Sequence, residues 1–206
     1  DSSAAAVSGD PHLRGAHGDE ADFKGEHGAS YNLLSARNLS INVLTEHDTF
    51  RTPFSKLNVK GSWVRAAYHT VRTARTGRLL HIFFHAIDPH RAIITEEGCA
   101  APPCEDGTHA RRQHVLAEGG SPFVVENCNV SLARKTLTVS TGRWRSTSQS
   151  TVGPPHLHKL RMNIEIKPAY PVQFDRVAPH GLLGQTYDRD GFELNGRRDD
   201  YSRLDD

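Results

Sequence analysis

The sequence predicts an all-β protein built as an antiparallel β-sandwich. Apolar and polar residues alternate with a period of two through most of the chain, which is typical of strands with one buried face. The alternating runs are rich in Val, Ile, Thr, Phe, Tyr and Trp, the residues that favour strands. Short turn signals such as "RTGR", "EGGSP" and "VGPPH" separate the runs. Many short strands joined by turns indicate a sandwich or a barrel.

The predicted strands follow one another from about residue 29 onwards. The alternation is cleanest near the end, where Leu160, Met162, Ile164 and Ile166 share one face. The other runs are "ASYNLLSA", "LSINVLTEH", "KLNVKGSWVRAAYHTVRT", "RLLHIFFHAI", "RAIITEE", "SPFVVENCNVSLA" and "KTLTVSTGRWRSTSQST". Only short helices are expected, with 110–116 as the candidate segment.

Length and charge limit the function classes. The 206 residues are enough for one domain with a sizeable core, and we expect tails at 1–8 and 201–206 around a single domain over 9–200. A net charge of +1 does not indicate a nucleic-acid surface. No apolar run approaches the roughly 20 residues that cross a bilayer, so no membrane span is expected.

Three cysteines give one predicted bridge. Cys99 and Cys104 bracket "AAPP" in a loop, and this close spacing predicts a local disulfide. Cys128 is then left over, or it replaces one of the two as a partner. The spacing does not fit a zinc site, since there is no second cysteine pair.

Two glycosylation sequons begin at Asn38 and Asn129. Such triplets also arise by chance. Together with a disulfide they favour a secreted, cell-surface or organelle-lumen protein.

The two ends of the chain resemble one known family. The stretch Gly9-Asp10-Pro11-His12, followed by the turn at 22–25 and the strand at 31–34, resembles the opening of a von Willebrand factor type D (VWD) domain. The segment "HGLLGQTYDRDGFELNGRRDDY" resembles the closing Gly-Leu-Cys-Gly segment of that family and the acidic loop after it. Leu183 stands in place of the family cysteine, as in the cysteine-poor branch of inter-alpha-trypsin inhibitor heavy chains and plant root-cap proteins. The resemblance implies a VWD-like sandwich.

Calcium is the cofactor that the resemblance implies. The terminal loop is dense in oxygen ligands, which calcium requires in numbers of six to eight. The candidate ligands are Asp188, Asp190, Asn195, Asp199 and Asp200. The alternative is a solvated acidic turn neutralised by Arg189, Arg197 and Arg198. His17 stands where the family has a calcium-binding aspartate.

The opening motif allows two interpretations. In some relatives this segment cleaves itself, which implies attack by the Asp10 carboxyl before Pro11 with His12 as proton donor. The alternative, which we favour, is a turn in which Pro11 fixes φ. No other catalytic motif is present, so no enzyme is expected. The glycines of 9–28 predict a shaped cap that contacts 180–200.

The sequence thus predicts a non-catalytic extracellular or luminal module that assembles with other protein chains of a larger assembly or matrix, or with glycans. The second hypothesis is a small-ligand or metal-binding sandwich that uses histidines, such as His156 and His158 on one strand face. His81 and His85 would meet only on a helix. The basic stretch at 65–78 is either a polyanion site or a solvated face. An enzyme of unknown class ranks third.

Overall fold

The computed structural model describes residues 4–9, 11–51, 58–99, 109–152, 160–169 and 178–187. Most of these residues lie in strands, and the all-β prediction is confirmed. The strands are β1 Ala5–Ser8, β2 His12–Arg14, β3 Glu20–Asp22, β4 Ser30–Ala36, β5 Leu39–Arg51, β6 Asn58–Arg72, β7 Leu79–His85, β8 Arg91–Cys99, β9 His109–Ala117, β10 Phe123–Val125, β11 Cys128–Ala133, β12 Thr136–Ser140, β13 Trp144–Val152 and β14 Leu160–Pro168. A 3-10 turn, Gly184–Tyr187, ends the described chain.

The strands form two antiparallel sheets. The large sheet has eight strands in the order β10-β11-β12-β13-β14-β1-β2-β3, and the small sheet has six in the order β4 to β9. Side chains from both sheets join one buried core, which includes Val130, Leu137, Met162 and Ile164 from the large sheet and Ile41, Leu80, Ile82, Phe84 and Ile94 from the small sheet. Two sheets around one core are a β-sandwich.

The N-terminal strand is part of the large sheet. β1 lies between β14 and β2, with Ala5 opposite Ile166 and Val7 opposite both Ile164 and Leu13. Ala5 is fully buried. The expected tail over 1–8 is therefore wrong for 5–8, because small apolar side chains at Ala5 and Val7 fill the core face of a central strand. The expected tail at 201–206 lies outside the described residues.

The opening segment and the C-terminal segment contact each other, as the cap interpretation predicts. The Ala16 N–H donates to Thr186 Oγ1 at 3.0 Å. The Tyr187 hydroxyl accepts from the Ala5 N–H at 3.1 Å and donates to the Ile166 carbonyl at 2.7 Å. The prediction that 9–28 contacts 180–200 is thus confirmed as far as residue 187.

The helix expected at 110–116 is wrong. This segment belongs to β9, where Val115 pairs with Ile93 and Leu116 pairs with Ala92 of β8. Leu116 is buried and Val115 is exposed, which is the period-two pattern of a half-buried strand. Pairing with β8 decides the structure here, since helix propensity is a weak preference that tertiary contacts override.

Two glutamates tie turns of one sheet to turns of the other. The Glu126 carboxylate, next to β11, accepts the Arg75 N–H at 2.6 Å and the Thr76 N–H at 3.1 Å in the β6–β7 turn. The Glu118 carboxylate, after β9, accepts the Lys135 N–H at 2.7 Å and contacts His90 Nδ1 at 2.5 Å. These contacts connect the hairpin turns that border the core.

Candidate binding surface

The outward face of the small sheet is set by the alternation of its strands. In β7, Leu80, Ile82 and Phe84 are buried, while Phe83 and His85 lie on the opposite face and are half-buried. Three apolar side chains of this strand therefore fill the core, and a further one, Phe83, lies on the face that points to solvent.

Strand register aligns four apolar side chains on this face. Tyr68 of β6 pairs with Phe83 of β7, Phe83 pairs with Ile93 of β8, and Ile93 pairs with Val115 of β9. Tyr68 is 38% exposed and Val115 is 64% exposed. Four neighbouring strands span about 14 Å, so these residues form one continuous apolar line across the sheet. We call Tyr68, Phe83, Ile93 and Val115 the outer row.

The rings at the aromatic end of the outer row pack against one another in tilted arrangements. The ring centroids of Tyr68 and Phe83 lie 5.0 Å apart at an interplanar angle of 34°. The ring of His85 lies 6.0 Å from that of Phe83. Such aromatic pairs hold each other in a defined orientation, so this end of the row is a preorganised surface.

The line of residues beside the outer row is polar and carries no permanent charge. Thr70, His81, Thr95 and Gln113 pair across the same four strands. Thr70 Oγ1 and His81 Nδ1 lie 3.4 Å apart. These side chains offer hydrogen-bond donors and acceptors to a partner without the desolvation cost of a full charge.

Two ion pairs lie towards the two ends of this face. Glu97 forms an ion pair with Arg111, and the hydrogen bond from Arg111 holds the pKa of Glu97 below its usual range. Arg91 forms an ion pair with Asp88 beyond the other end of β8. The centre of the face is therefore apolar and its margin is polar.

The opening motif forms a turn at the edge of the large sheet. The Pro11 carbonyl accepts the Phe23 N–H at 2.9 Å, and His12 Nδ1 contacts the carboxylate of Asp22. Asp10 lies outside the described residues. The structure thus brings His12 to an acidic partner.

Several predicted sites fall outside the described part of the chain. These are the side chain of Cys99 with Cys104, the histidines His156 and His158, and the calcium ligands Asp188, Asp190, Asn195, Asp199 and Asp200. Cys128, the predicted leftover cysteine, is a free and buried thiol, and burial raises its pKa to about 12.

Both sequon asparagines are exposed. Asn38 occupies the β4–β5 turn with a φ of +69°, and Asn129 lies on β11 of the large sheet. Neither belongs to the outer row or to the polar line beside it.

The basic stretch at 65–78 does not form one cationic surface. Arg65 is buried, pairs with Glu46 at 2.8 Å and donates to the Leu160 carbonyl. Arg78 pairs with Glu96 at 2.6 Å. These pairings neutralise two of its arginines. Among the described residues, no cluster of three His, Cys, Asp or Glu side chains is arranged to hold a metal ion.

No protein-family model matches the chain, and no curated protein matches it. The likeness to VWD domains therefore stays a prediction from the motifs at the two ends. Within the described residues, no helix has the length and apolar character needed to cross a membrane.

The outer row is not apparent from the sequence. Three of its four residues lie in predicted strands, but the row exists only because the register of three strand pairs aligns them. One signal in the sequence could have indicated it. In each of these strands an apolar residue stands where the alternation places a side chain on the solvent-facing side, such as Phe83 between Ile82 and Phe84.

Proposed function

We propose that this chain is a non-catalytic interaction module that binds another protein through the outward face of the small sheet. The outer row carries the proposal, because it is a continuous apolar line that remains at the surface of the folded domain. Tyr68 and Val115, at its two ends, both keep more than a third of their surface exposed.

The composition of this face supports a protein partner. The centre of a protein interface is poor in charge and rich in aromatic residues, and its rim is polar. Tyr68 and Phe83 are the aromatic anchors, and the Glu97–Arg111 pair lies on the rim. Contiguous apolar surface with a polar border is typical of interaction sites.

A protein fits this face better than a glycan does. The aromatic end alone would suit the apolar faces of sugar rings. Ile93 and Val115 extend the row with aliphatic side chains, which gain free energy from burial against other apolar side chains. The partner we infer therefore presents an apolar centre, with uncharged hydrogen-bonding groups on the side that meets Thr70, His81, Thr95 and Gln113.

An extracellular or luminal setting supports the same proposal. Asn38 and Asn129 are both exposed, so an oligosaccharide could be attached to either side chain without unfolding the domain. The module would then act as one unit of a larger protein assembly.

Comparative capture tests this function. The wild-type chain, a Tyr68→Ser/Val115→Ser variant and a Val124→Ser/Val152→Ser control are immobilised and exposed to secreted proteins of the source tissue. Val124 and Val152 are 61% and 66% exposed and lie outside the outer row, so the control removes similar apolar surface. We expect a protein retained by the wild type and the control and lost by the outer-row variant. Equal retention by all three chains would contradict the proposal.

A further inference from the structure

His69 is a histidine enclosed between the two sheets. It lies on β6, where it pairs with Ile41 of β5 and Ile82 of β7, and its exposed fraction is 1%. Its ring points towards the large sheet, since Nε2 lies 3.2 Å from Ser146 Oγ on β13. One polar contact therefore links this ring across the core.

The other ring nitrogen is unsatisfied. His69 Nδ1 has no hydrogen-bond partner among the described residues. Ser146 and Ser148, at buried inward positions on β13, offer only neutral hydroxyls. A neutral imidazole tolerates this arrangement with one nitrogen bonded, whereas an imidazolium would need acceptors for two N–H groups.

The described strands around His69 place no carboxylate at a buried inward position. Their buried side chains are apolar or carry a hydroxyl, and they include Leu39, Ile41, Val43 and Thr45 on β5, Leu80, Ile82 and Phe84 on β7, Trp144, Ser146, Ser148 and Ser150 on β13, and Met162, Ile164 and Ile166 on β14. The buried charge on the same strand is Arg65, a cation that is paired with Glu46. Tyr187 lies behind Trp144, with ring centroids 5.2 Å apart, and burial raises its pKa to about 12, so it stays neutral.

We propose that His69 makes the packing of the two sheets sensitive to acid, so that the domain loses stability in mildly acidic surroundings. A proton on this ring would place a cation in an apolar core, and the described strands that face it have no carboxylate at a buried inward position. Burying such a charge is costly, so protonation of His69 shifts the folding equilibrium towards the unfolded chain.

The sign of the effect follows from linkage. Burial lowers the pKa of His69 from 6.5 to about 4, so between these values the unfolded chain binds a proton that the folded chain does not. Stability is therefore full above pH 6.5 and falls as the pH drops towards 4. From pH 7 to pH 5, His69 alone raises the unfolding equilibrium constant about 20-fold.

The acid sensitivity that His69 confers is independent of the outer row, because the outer row lies on the opposite face of the small sheet. It would couple the integrity of the sandwich, and with it the shape of any surface on it, to the acidity of the compartment. Histidine is suited to this role because its ordinary pKa lies within the physiological range.

A comparison of variants tests the proposal. Unfolding by urea is measured at pH 7 and pH 5 for the wild type, His69→Gln and the control His180→Gln, which alters an exposed histidine. We expect the wild type and the control to lose the same stability on acidification. In His69→Gln the increase of the unfolding constant should be about 20-fold smaller. An equal increase in all three chains would overturn the proposal.

A second measurement decides the question if His69→Gln does not fold. The imidazole C–H signals of the wild-type chain are followed by NMR from pH 8 to pH 5. The His69 signal should stay at its neutral position throughout while the chain is folded. A His69 midpoint between pH 6 and 7 in the folded protein would overturn the proposal.

Discussion

The ring of Tyr68 on β6 lies 5.0 Å from the ring of Phe83 on β7, on the face of the small sheet that points away from the core. Neither ring is needed there to fill the interior, which Ile82 and Phe84 already occupy from the other face of β7. The pair begins an apolar line that Ile93 and Val115 continue. This line is the basis of the proposed protein-binding function.

Replacement by threonine should lower the stability of the domain to different extents on the two faces of β9. Val115→Thr changes a side chain that is 64% exposed, so we expect a stability change within about 0.5 kcal/mol. Leu116→Thr shortens its buried neighbour and adds a hydroxyl to the core, and it should cost more than about 2 kcal/mol. Urea unfolding measures both. Similar costs at the two positions would argue against the β9 strand and its register.

The closure between the two ends of the chain depends on Tyr187. Tyr187→Phe removes the hydroxyl that accepts from Ala5 and donates to Ile166, and it leaves a buried N–H without its partner. We expect a loss of about 1–3 kcal/mol in the free energy of unfolding. Tyr68→Phe, at an exposed tyrosine, is the control and should change stability little. Equal small effects would show that the cap contributes nothing through this hydroxyl.

Gly181 occupies a position that accepts no side chain. Its φ is +99°, and a Cβ there would lie 2.4 Å from Asn32 Oδ1 and 2.9 Å from the backbone of Leu33. Gly77 has a φ of +70° with nothing near its Cβ position, which makes it a matched control. We expect Gly77→Ala to cost about 1 kcal/mol and Gly181→Ala clearly more. Thermal melting compares them, and equal shifts would contradict the close approach at Gly181.

In its ionised form, the Glu126 carboxylate should stabilise the contact between its own turn and the β6–β7 turn. Hydrogen bonds from Thr76 and the Arg75 backbone lower its pKa from 4.5 to about 2. The folded-state pKa is depressed, so this stabilisation is full above pH 4.5 and is lost as the pH falls towards 2. Glu126→Gln should lower the melting temperature at pH 7, and the difference from the wild type should shrink near pH 2.

The control for this variant is Glu165→Gln, because Glu165 is exposed and lies 3.9 Å from Lys167. Its melting temperature should match that of the wild type at pH 7. If Glu126→Gln melts at the same temperature as this control, the carboxylate does not hold the turns together.

The resemblance to VWD domains predicts that the acidic loop after residue 187 binds calcium. If Asp188, Asp190 and their neighbours bind calcium, added ion should raise the melting temperature and a chelator should reverse the rise. No thermal shift up to millimolar calcium would remove the metal site. It would leave the acidic loop to be neutralised by its arginines, in which case high salt should weaken it.

Much of the fold was predictable because one physical pattern repeats. The alternation of Leu160, Met162, Ile164 and Ile166 predicts a strand with one buried face, and β14 has that face in the core. The pattern failed at 110–116, where consecutive polar residues hid the alternation of an edge strand. It also failed at 5–8, because a short strand of small residues carries little hydrophobic signal before its neighbours are known.

The candidate surface could not be predicted in the same way. Register decides which side chains share a line across a sheet, and register depends on turns and on bulges. β6 carries a register shift beside Arg65, opposite Leu44 and Thr45, which sequence patterning does not reveal. The enclosure of His69 likewise depends on β13, which lies 77 residues further along the chain and in the other sheet.

Site-specific photo-cross-linking tests the central claim most directly. A photoreactive residue replaces Gln113, which is exposed on β9 beside the outer row, or Gln149, which is exposed on β13 of the large sheet. Each chain is irradiated with secreted proteins of the source tissue, and cross-linked products are identified by mass spectrometry. The account predicts a defined protein adduct at position 113 that is absent at position 149. Equal labelling at both positions, or an adduct at 149 alone, would contradict it.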